Sequence, residues 1–205
     1  MTLRTGTQSI ATERLTLRRF TPNDLEFLVE LHSSEPVTRY IGHGRPRSRR
    51  ESEAWLSRVL TQYEAQQQGH LIVQRRSDGV SIGRCGLSSL YIEIAGTNPQ
   101  VSRAWFNREE VPAGCSVTRV AELGYTFDSA YWGQGYASEA VQGVVDYLKE
   151  QAQRPAKTVS AIYPENRRSL RIAEKFQLKL EGCLDCSGLP LLRYDWPNDV
   201  TAAEN

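Results

Sequence analysis

The sequence predicts a layered α/β domain with a largely central sheet. Three observations predict it. Short segments with alternating apolar residues exchange with segments whose apolar residues recur at helical spacing, the pattern of a sheet covered by helices. Helix starts are written twice, in Thr21-Pro22-Asn23-Asp24 and in Ser48-Arg49-Arg50-Glu51. A length of 205 residues with a hydrophobic fraction of 40% suits one core of ordinary size, so a single domain is expected over 1–205.

The elements follow in order. Leu15, Leu17 and Arg19 alternate with Thr16 and Arg18, so 14–20 reads as a strand. Thr21 then serves as N-cap with Pro22 at the first helical position, and Leu25, Leu28, Val29 and Leu31 make an apolar helical face. From Ser48 a second helix carries Trp55, Leu56, Val59, Leu60 and Tyr63, fades through Glu64 to Gln68, and stops at Gly69. Residues 70–76 and 81–92 read as strands joined by the turn Ser77-Asp78-Gly79.

Residues 93–118 have the poorest pattern. They carry Gly96, Pro99, Pro112 and Gly114 beside Trp105 and Phe106, and read as an insertion or a long hairpin connection, either functional or a floppy excursion. Beyond them, 120–127 is an apolar-rich strand, 128–136 a loop with two glycines, and Ser138 opens a helix with the face Ala140, Val141, Val144, Val145 and Leu148. A strand over 158–163, a helix from Asn166 to about Phe176, and strands 179–184 and 189–196 around Ser187-Gly188 close the chain.

Composition excludes several classes. With 25 basic and 24 acidic side chains the net charge is +1, which lacks the basic excess of a nucleic-acid binder and argues against a polybasic membrane anchor. No apolar run approaches the ~20 residues needed to cross a bilayer, and residues 1–10 lack the apolar stretch of a signal peptide, so a cytoplasmic location is expected. Four cysteines are too sparse for a disulfide scaffold. Cys183-Leu184-Asp185-Cys186 has C-x-x-C spacing, but no second pair stands at a matching distance, so these read as structural or incidental. His32, His43 and His70 are scattered, and no metal is expected. Arg45, Arg47, Arg49 and Arg50 form a basic cluster that reads as a solvated surface, since Glu51 and Glu53 lie close by, or as a contact for an acidic or RNA-associated partner.

The strand–loop–helix unit from Val120 to Lys149 carries the chemistry. A helix N-terminus has free backbone N–H groups and partial positive charge, which attract phosphate without a basic side chain. Gly133 and Gly135 let the chain turn with N–H groups pointing inward, Ala137 is small enough for close approach, and Ser138 offers a hydroxyl donor or an N-cap. A glycine-containing turn with no ligand has the same spacing. A dinucleotide fingerprint would sit early in the chain with an acid closing the next strand, and 158–163 carries none.

The wider text is more specific. Glu122-Leu123-Gly124-Tyr125, then Tyr131-Trp132-Gly133-Gln134-Gly135-Tyr136-Ala137-Ser138-Glu139-Ala140, then Asn166-Arg167-Arg168-Ser169 with Glu174-Lys175, resembles the GNAT superfamily of N-acetyltransferases. The opening Thr12-Glu13-Arg14-Leu15-Thr16-Leu17-Arg18 is similar to that of its RimJ/RimL-like branch. The resemblance spans about 12–196, apart from the 93–118 insertion. It implies a GNAT-like fold, a central mixed, splayed, mostly antiparallel sheet flanked by helices.

The resemblance also implies acetyl-CoA as co-substrate and an amine acceptor, either a protein N-terminus or a small molecule. The N–H groups of Gly133, Gln134, Gly135, Tyr136, Ala137 and Ser138, with Trp132 at the head of the loop, would wrap the pyrophosphate. The backbone of Tyr125, Thr126 and Phe127 would pair with the pantetheine arm like an added strand, in a slot opened where strands ending near Phe127 and Tyr163 splay. The amine must be neutral to attack. Glu122 is the candidate base, or else a strand-edge carboxylate in a salt bridge. The Phe127 N–H is the implied oxyanion donor.

Two departures stand out. The family's usual tyrosine donor falls at Ala173, which leaves Ser169 as candidate acid, and Asn166 would hold the pantetheine arm or merely cap its helix. Gln177 replaces a helix-ending glycine, so a different helix exit is expected. The leading expectation is an enzyme acetylating a primary amine, with a homodimer as a possible assembly. The alternatives are a catalytically idle acyl-CoA-binding module and a nicotinamide enzyme.

Overall fold

The computed structural model describes residues 9–66, 68–94, 101–151 and 154–197. Gly96 and Pro99 of the expected insertion or hairpin connection, and residues 1–8 of the N-terminal stretch, lie outside the described residues. The chain divides into two compact units, one drawn from 1–86 and 125–147, the other from 87–124 and 148–205.

In the first unit, β1 (Ser9–Ala11), β2 (Leu15–Arg19), β3 (His70–Arg75) and the start of β4 (Ser81–Glu93) pair in that order, each antiparallel to the next. A capping box at Thr21 and Asp24 turns the chain from β2 through a 3-10 turn into α1 (Leu25–Ser33). Arg18 clamps the Asp24 carboxylate with two bonds of 2.8 Å. A four-residue helix, α2 (Glu35–Thr38), follows, and α3 (Arg49–Gln66) starts as expected, with Ser48 and Glu51 exchanging hydrogen bonds. The apolar faces of α1 and α3 meet Phe20 and Ile72 in one core with Trp55, Leu56, Val59 and Tyr63. The Tyr63 hydroxyl ties this layer to the sheet, accepting from the Phe20 N–H at 3.0 Å and donating to the His70 carbonyl. Both α2 and β1 escaped the sequence reading, because three or four residues show no period.

In the second unit, the end of β4 pairs antiparallel with β5 (Val101–Trp105), matching Tyr91 to Trp105 and Ile92 to Ala104. Of the two readings of 93–118, an insertion or a long hairpin connection, the antiparallel pairing agrees with the hairpin: 101–105 is a strand of the sheet, and Trp105 is buried core. Its alternation was masked because β5 is exposed at Val101 and buried only at its end. β5 runs parallel to β8 (Lys179–Cys186), which forms a hairpin with β9 (Leu189–Asp195). β9 pairs with β7 (Thr158–Ile162), and β7 runs parallel to the start of β6 (Val117–Phe127). The sheet is therefore mixed and mostly antiparallel, as expected. Its core holds Leu90, Ile92, Val120, Val159, Leu184 and Leu191.

Two helix ends differ from expectation. α4 (Tyr136–Glu150) begins two residues before Ser138, since the Glu139 N–H already bonds the Gly135 carbonyl. Ser138 is therefore inside the first turn and is not the N-cap. α5 (Arg167–Lys175) leaves by the ordinary left-handed exit. Leu178 N–H bonds the Ala173 carbonyl, Gln177 N–H bonds the Glu174 carbonyl, and Gln177 adopts φ 53°. The six-to-one bond imposes the turn whether or not a glycine occupies it.

Candidate active-site elements

The first unit holds the loop. After β6 ends at Phe127, Asp128 caps a short 3-10 turn over Ser129–Tyr131 by accepting from the Ala130 N–H at 2.9 Å. The Trp132 indole then folds back and donates to the Phe127 carbonyl at 2.8 Å. Trp132 thus joins the loop to the strand end. Gly133 and Gly135 have φ of 75° and 82°, in the left-handed region that side chains disfavour, so both glycines are demanded by the path of the chain. The N–H groups of Tyr136, Ala137 and Ser138 precede the first i to i−4 bond of α4 and have no acceptor within the helix. They stand at the positive end of a 15-residue helix, a geometry that suits an anion. Tyr136 is buried, while Gly133, Gln134 and Gly135 are exposed.

The opening segment braces this turn, a role that sequence reasoning missed. Glu139, in the first turn of α4, accepts from the Thr12 hydroxyl at 2.6 Å, from the Arg14 N–H at 2.7 Å and from the Arg14 guanidinium at 2.6 Å. Burial would raise this carboxyl, but those hydrogen bonds and the Arg14 charge outweigh it and hold the group below its ordinary range. Arg14 also donates to the Gln134 carbonyl at 3.1 Å and lies over the Tyr136 ring at 4.5 Å. The sequence signal was present: Thr12-Glu13-Arg14 and Glu139 both belong to the quoted blocks.

The second unit holds the carboxylate. Glu122 is buried, with 8% exposure. Its Oε2 accepts from the Ser88 hydroxyl of β4 at 2.9 Å. Gly124 leaves room for it, because a Cβ there would stand 2.9 Å from Glu122 Oε2. The ladder between β6 and β7 matches Ala121 to Thr158 and Glu122 to Val159. One residue later the Leu123 carbonyl takes the Ser160 hydroxyl, at 2.8 Å. Cys186 is buried close by; burial first, then the charges of Glu122 and Asp185, push its thiol up to about 12, so it stays protonated. Ser88 and Cys186 were not singled out as site residues by sequence, because only the pairing of distant strands brings them to Glu122.

Asn166 caps α5, its side-chain oxygen accepting from the Ser169 N–H at 3.3 Å. Both residues are half-buried on the first turn. Ala173 is buried, with 1% exposure, and carries no donor. Cys183 and Cys186 are three apart on one strand, hence on opposite faces, and both are free thiols. Among the described residues no group of three or more His, Cys, Asp or Glu is placed to hold a metal, and no helix is long and apolar enough to cross a membrane.

Comparison with known proteins agrees with this geometry. Residues 14–179 match the family model of the acetyltransferase (GNAT) domain. An uncharacterized N-acetyltransferase, p20, of Bacillus licheniformis is 25% identical over 177 residues, 86% of this chain and 85% of that protein. The crystal structure of the acetyltransferase from Agrobacterium tumefaciens str. C58 superimposes with a TM-score of 0.68 at 23% identity, covering 96% of this chain and 98% of that one. RimL, a ribosomal L7/L12 α-N-protein acetyltransferase in complex with coenzyme A, gives a TM-score of 0.65 at 15% identity, covering 94% and 99%. These matches overturn the nicotinamide-enzyme alternative.

Proposed function

Since the chain belongs to the GNAT acetyltransferase family, whose acyl donor is acetyl-CoA, we propose that it transfers the acetyl group to a primary amine by direct attack in a ternary complex. The observation that carries this reading is the buried Glu122 carboxylate, held by the Ser88 hydroxyl at 2.9 Å with space cleared by Gly124. A carboxylate fixed in this way is suited to take the proton that an ammonium must lose before its nitrogen can attack.

Acetyl-CoA supplies the activated thioester. The chain's own residues do the rest. Gly133 to Ser138 hold the pyrophosphate on backbone N–H groups, with Trp132 fixing the loop. The backbone of Tyr125, Thr126 and Phe127 supports the pantetheine arm, and Asn166 bonds it while capping α5. The Phe127 N–H faces the developing oxyanion. Glu122 accepts the amine proton, and the Ser169 hydroxyl offers a proton to the departing thiolate. The likeness in fold to RimL favours a protein N-terminus or a comparable primary amine as acceptor.

An acceptor screen tests this. The chain is incubated with acetyl-CoA and a panel of amines and peptides, and thiol release is followed beside product mass. The reading expects a 42-dalton gain (roughly, one acetyl in place of one hydrogen) on at least one amine, and a loss of about 10²-fold or more in kcat/KM for Glu122→Gln. Coenzyme A binding without turnover on any amine would leave an idle acyl-CoA-binding module. Turnover indifferent to Glu122→Gln would remove the assigned base.

A further inference from the structure

The strands of the second unit close on themselves. From the end of β4 the pairings lead through β5, β8, β9 and β7 to β6, and β6 pairs back with β4, so these strands make a ring. The return pairing is antiparallel. The Ile94 N–H bonds the Ser116 carbonyl at 3.0 Å, while Ser88, earlier on β4, reaches Glu122, later on β6. Alternate residues of a strand face opposite sides of a sheet, so a closed ring has an inner and an outer set. The inner set is one buried core to which every strand contributes: Leu90, Ala104, Val120, Val159, Leu184 and Leu191.

Glu122 belongs to the inner set, two residues after Val120, and Cys186 belongs to it two residues after Leu184. Both stand at the same end of the ring, with Ser88, Leu189 and Tyr163. Ser88 bonds Glu122, Leu189 is matched to Cys186, and Tyr163 follows the Ile162–Leu192 pair. Between β6 and β8 lie β4 and β5 on one side and β7 and β9 on the other, so Glu122 and Cys186 occupy opposite walls. Glu122 and Cys186 are buried, whereas Ser88, Tyr163 and Leu189 are half-buried and form the rim. The carboxylate leans over Gly124, the next inner position toward that rim, where a Cβ would stand 2.9 Å from Oε2 and 3.1 Å from Oε1. The last matched pair of the β6–β7 ladder is Glu122 with Val159, so no ladder joins these strands on the rim side of the carboxylate.

Among the described strand residues of the inner set at this end, Glu122 is the only ionised one. Burial first, then nearby negative charge, keeps the Cys186 thiol and the Tyr163 phenol protonated. Asp185 lies on the outer set and holds the Gly188 N–H at 2.6 Å. Arg193 and Asp195 pair with each other toward the opposite end of β9. An ammonium entering at the rim therefore meets one carboxylate to match it. A second charge on the same molecule would lose its water and gain no partner. An apolar body would gain contact with Leu189, Tyr163 and Leu184.

We infer that the Glu122 end of this ring seats the acceptor, and that it admits a primary amine whose only charge is the amine itself, on an uncharged apolar body gauged by Cys186 and Leu189. The word acceptor rests on the acetyltransferase reading above; the amine site itself does not. Specificity then lies in the wall facing the carboxylate, and the strand β5 matters because it completes that wall.

The test has two arms. In the first, butylamine, γ-aminobutyrate and putrescine are compared by thermal shift at constant ionic strength, with and without coenzyme A and with no turnover required. Butylamine is expected to raise Tm most, and Glu122→Gln to lose that response. No response to butylamine, equal responses across the set, or an unchanged response in Glu122→Gln overturns the inference.

In the second arm the same amines serve as acceptors, beside peptides beginning with alanine, aspartate or lysine. The member of each set with no second charge is expected to win by about tenfold or more in kcat/KM, the cost of desolvating an unmatched charge. Leu189→Lys, at the half-buried rim, is expected to reverse the order and favour γ-aminobutyrate, a change that a merely structural leucine would not produce. Cys186→Met adds no charge and is expected to move the preference from butylamine to ethylamine. Equal rates across the sets, or an unchanged order in both variants, overturn the acceptor role while leaving the acetyltransferase reading intact. Failure to acetylate any amine overturns that reading and with it the acceptor role, and the first arm then decides the amine site alone.

Discussion

The hydroxyl of Ser88 donates to Oε2 of Glu122 at 2.9 Å, across the boundary between β4 and β6. The bond orients a buried carboxylate whose other neighbours include a Cys186 thiol kept protonated. A carboxylate already oriented in the resting chain does not have to reorganise when the amine arrives. Ser88→Ala is therefore expected to lower kcat by about tenfold while KM and coenzyme A affinity change little. Steady-state kinetics beside calorimetric titration of coenzyme A check this. An unchanged kcat would mean that the carboxylate keeps its aim without the serine.

Gly133 and Gly135 separate conformational strain from crowding. A Cβ at Gly133 meets nothing within 4 Å, so Gly133→Ala reports the left-handed backbone alone, at about 1–2 kcal/mol. At Gly135 the added Cβ would stand 3.3 Å from Arg14 Nη2, the mobile end of a side chain. Both variants are expected to bind coenzyme A about tenfold more weakly, with Gly135→Ala the worse because Arg14 also holds the Gln134 carbonyl. Titration calorimetry decides, and native affinity in both would detach the loop from the pyrophosphate.

Gln177 carries φ 53° at the end of α5, where the turn asks for glycine. Gln177→Gly removes a left-handed strain but frees the unfolded chain, so the net gain is about 0.5–1 kcal/mol. Tm should rise by a few degrees with no effect on turnover. A fall in Tm would show that the Gln177 side chain contributes contacts that outweigh the strain.

His32 and His70 make the first unit sensitive to acid. Burial first, then the charges of Arg84 and Arg47, hold His32 down to about 2, and burial first, then Arg84 and His32, holds His70 well below 6.5. In the unfolded chain both take a proton near 6.5. The folded values are depressed, so the unfolded state binds more protons as pH falls. Stability present above about pH 6.5 is therefore lost progressively below it, by up to about 1.4 kcal/mol per pH unit for each histidine. Tm is expected to drop between pH 7 and pH 5, and His32→Gln to flatten that slope. Equal slopes for parent and variant would contradict it.

The sequence by itself determined the parts whose physics is local. The capping boxes at Thr21 and Ser48, the helical stripes of α1, α3 and α4, and the two positive-φ glycines follow from hydrogen bonds and sterics within a few residues, and all were legible. So were the blocks that identify the family. Tertiary structure decided what depends on distant strands meeting. β5 is a strand because the end of β4 and the parallel β8 supply its ladder, not because 101–105 alternates. Ser88 meets Glu122, and Thr12 and Arg14 meet Glu139, across separations of 34 to 127 residues. Likewise, nothing in the run from Arg45 to Arg50 tells its arginines apart. Arg45 and Arg49 find carboxylates and the Arg47 N–H bonds the His32 carbonyl, because partner choice is a property of the packed layer and not of the segment.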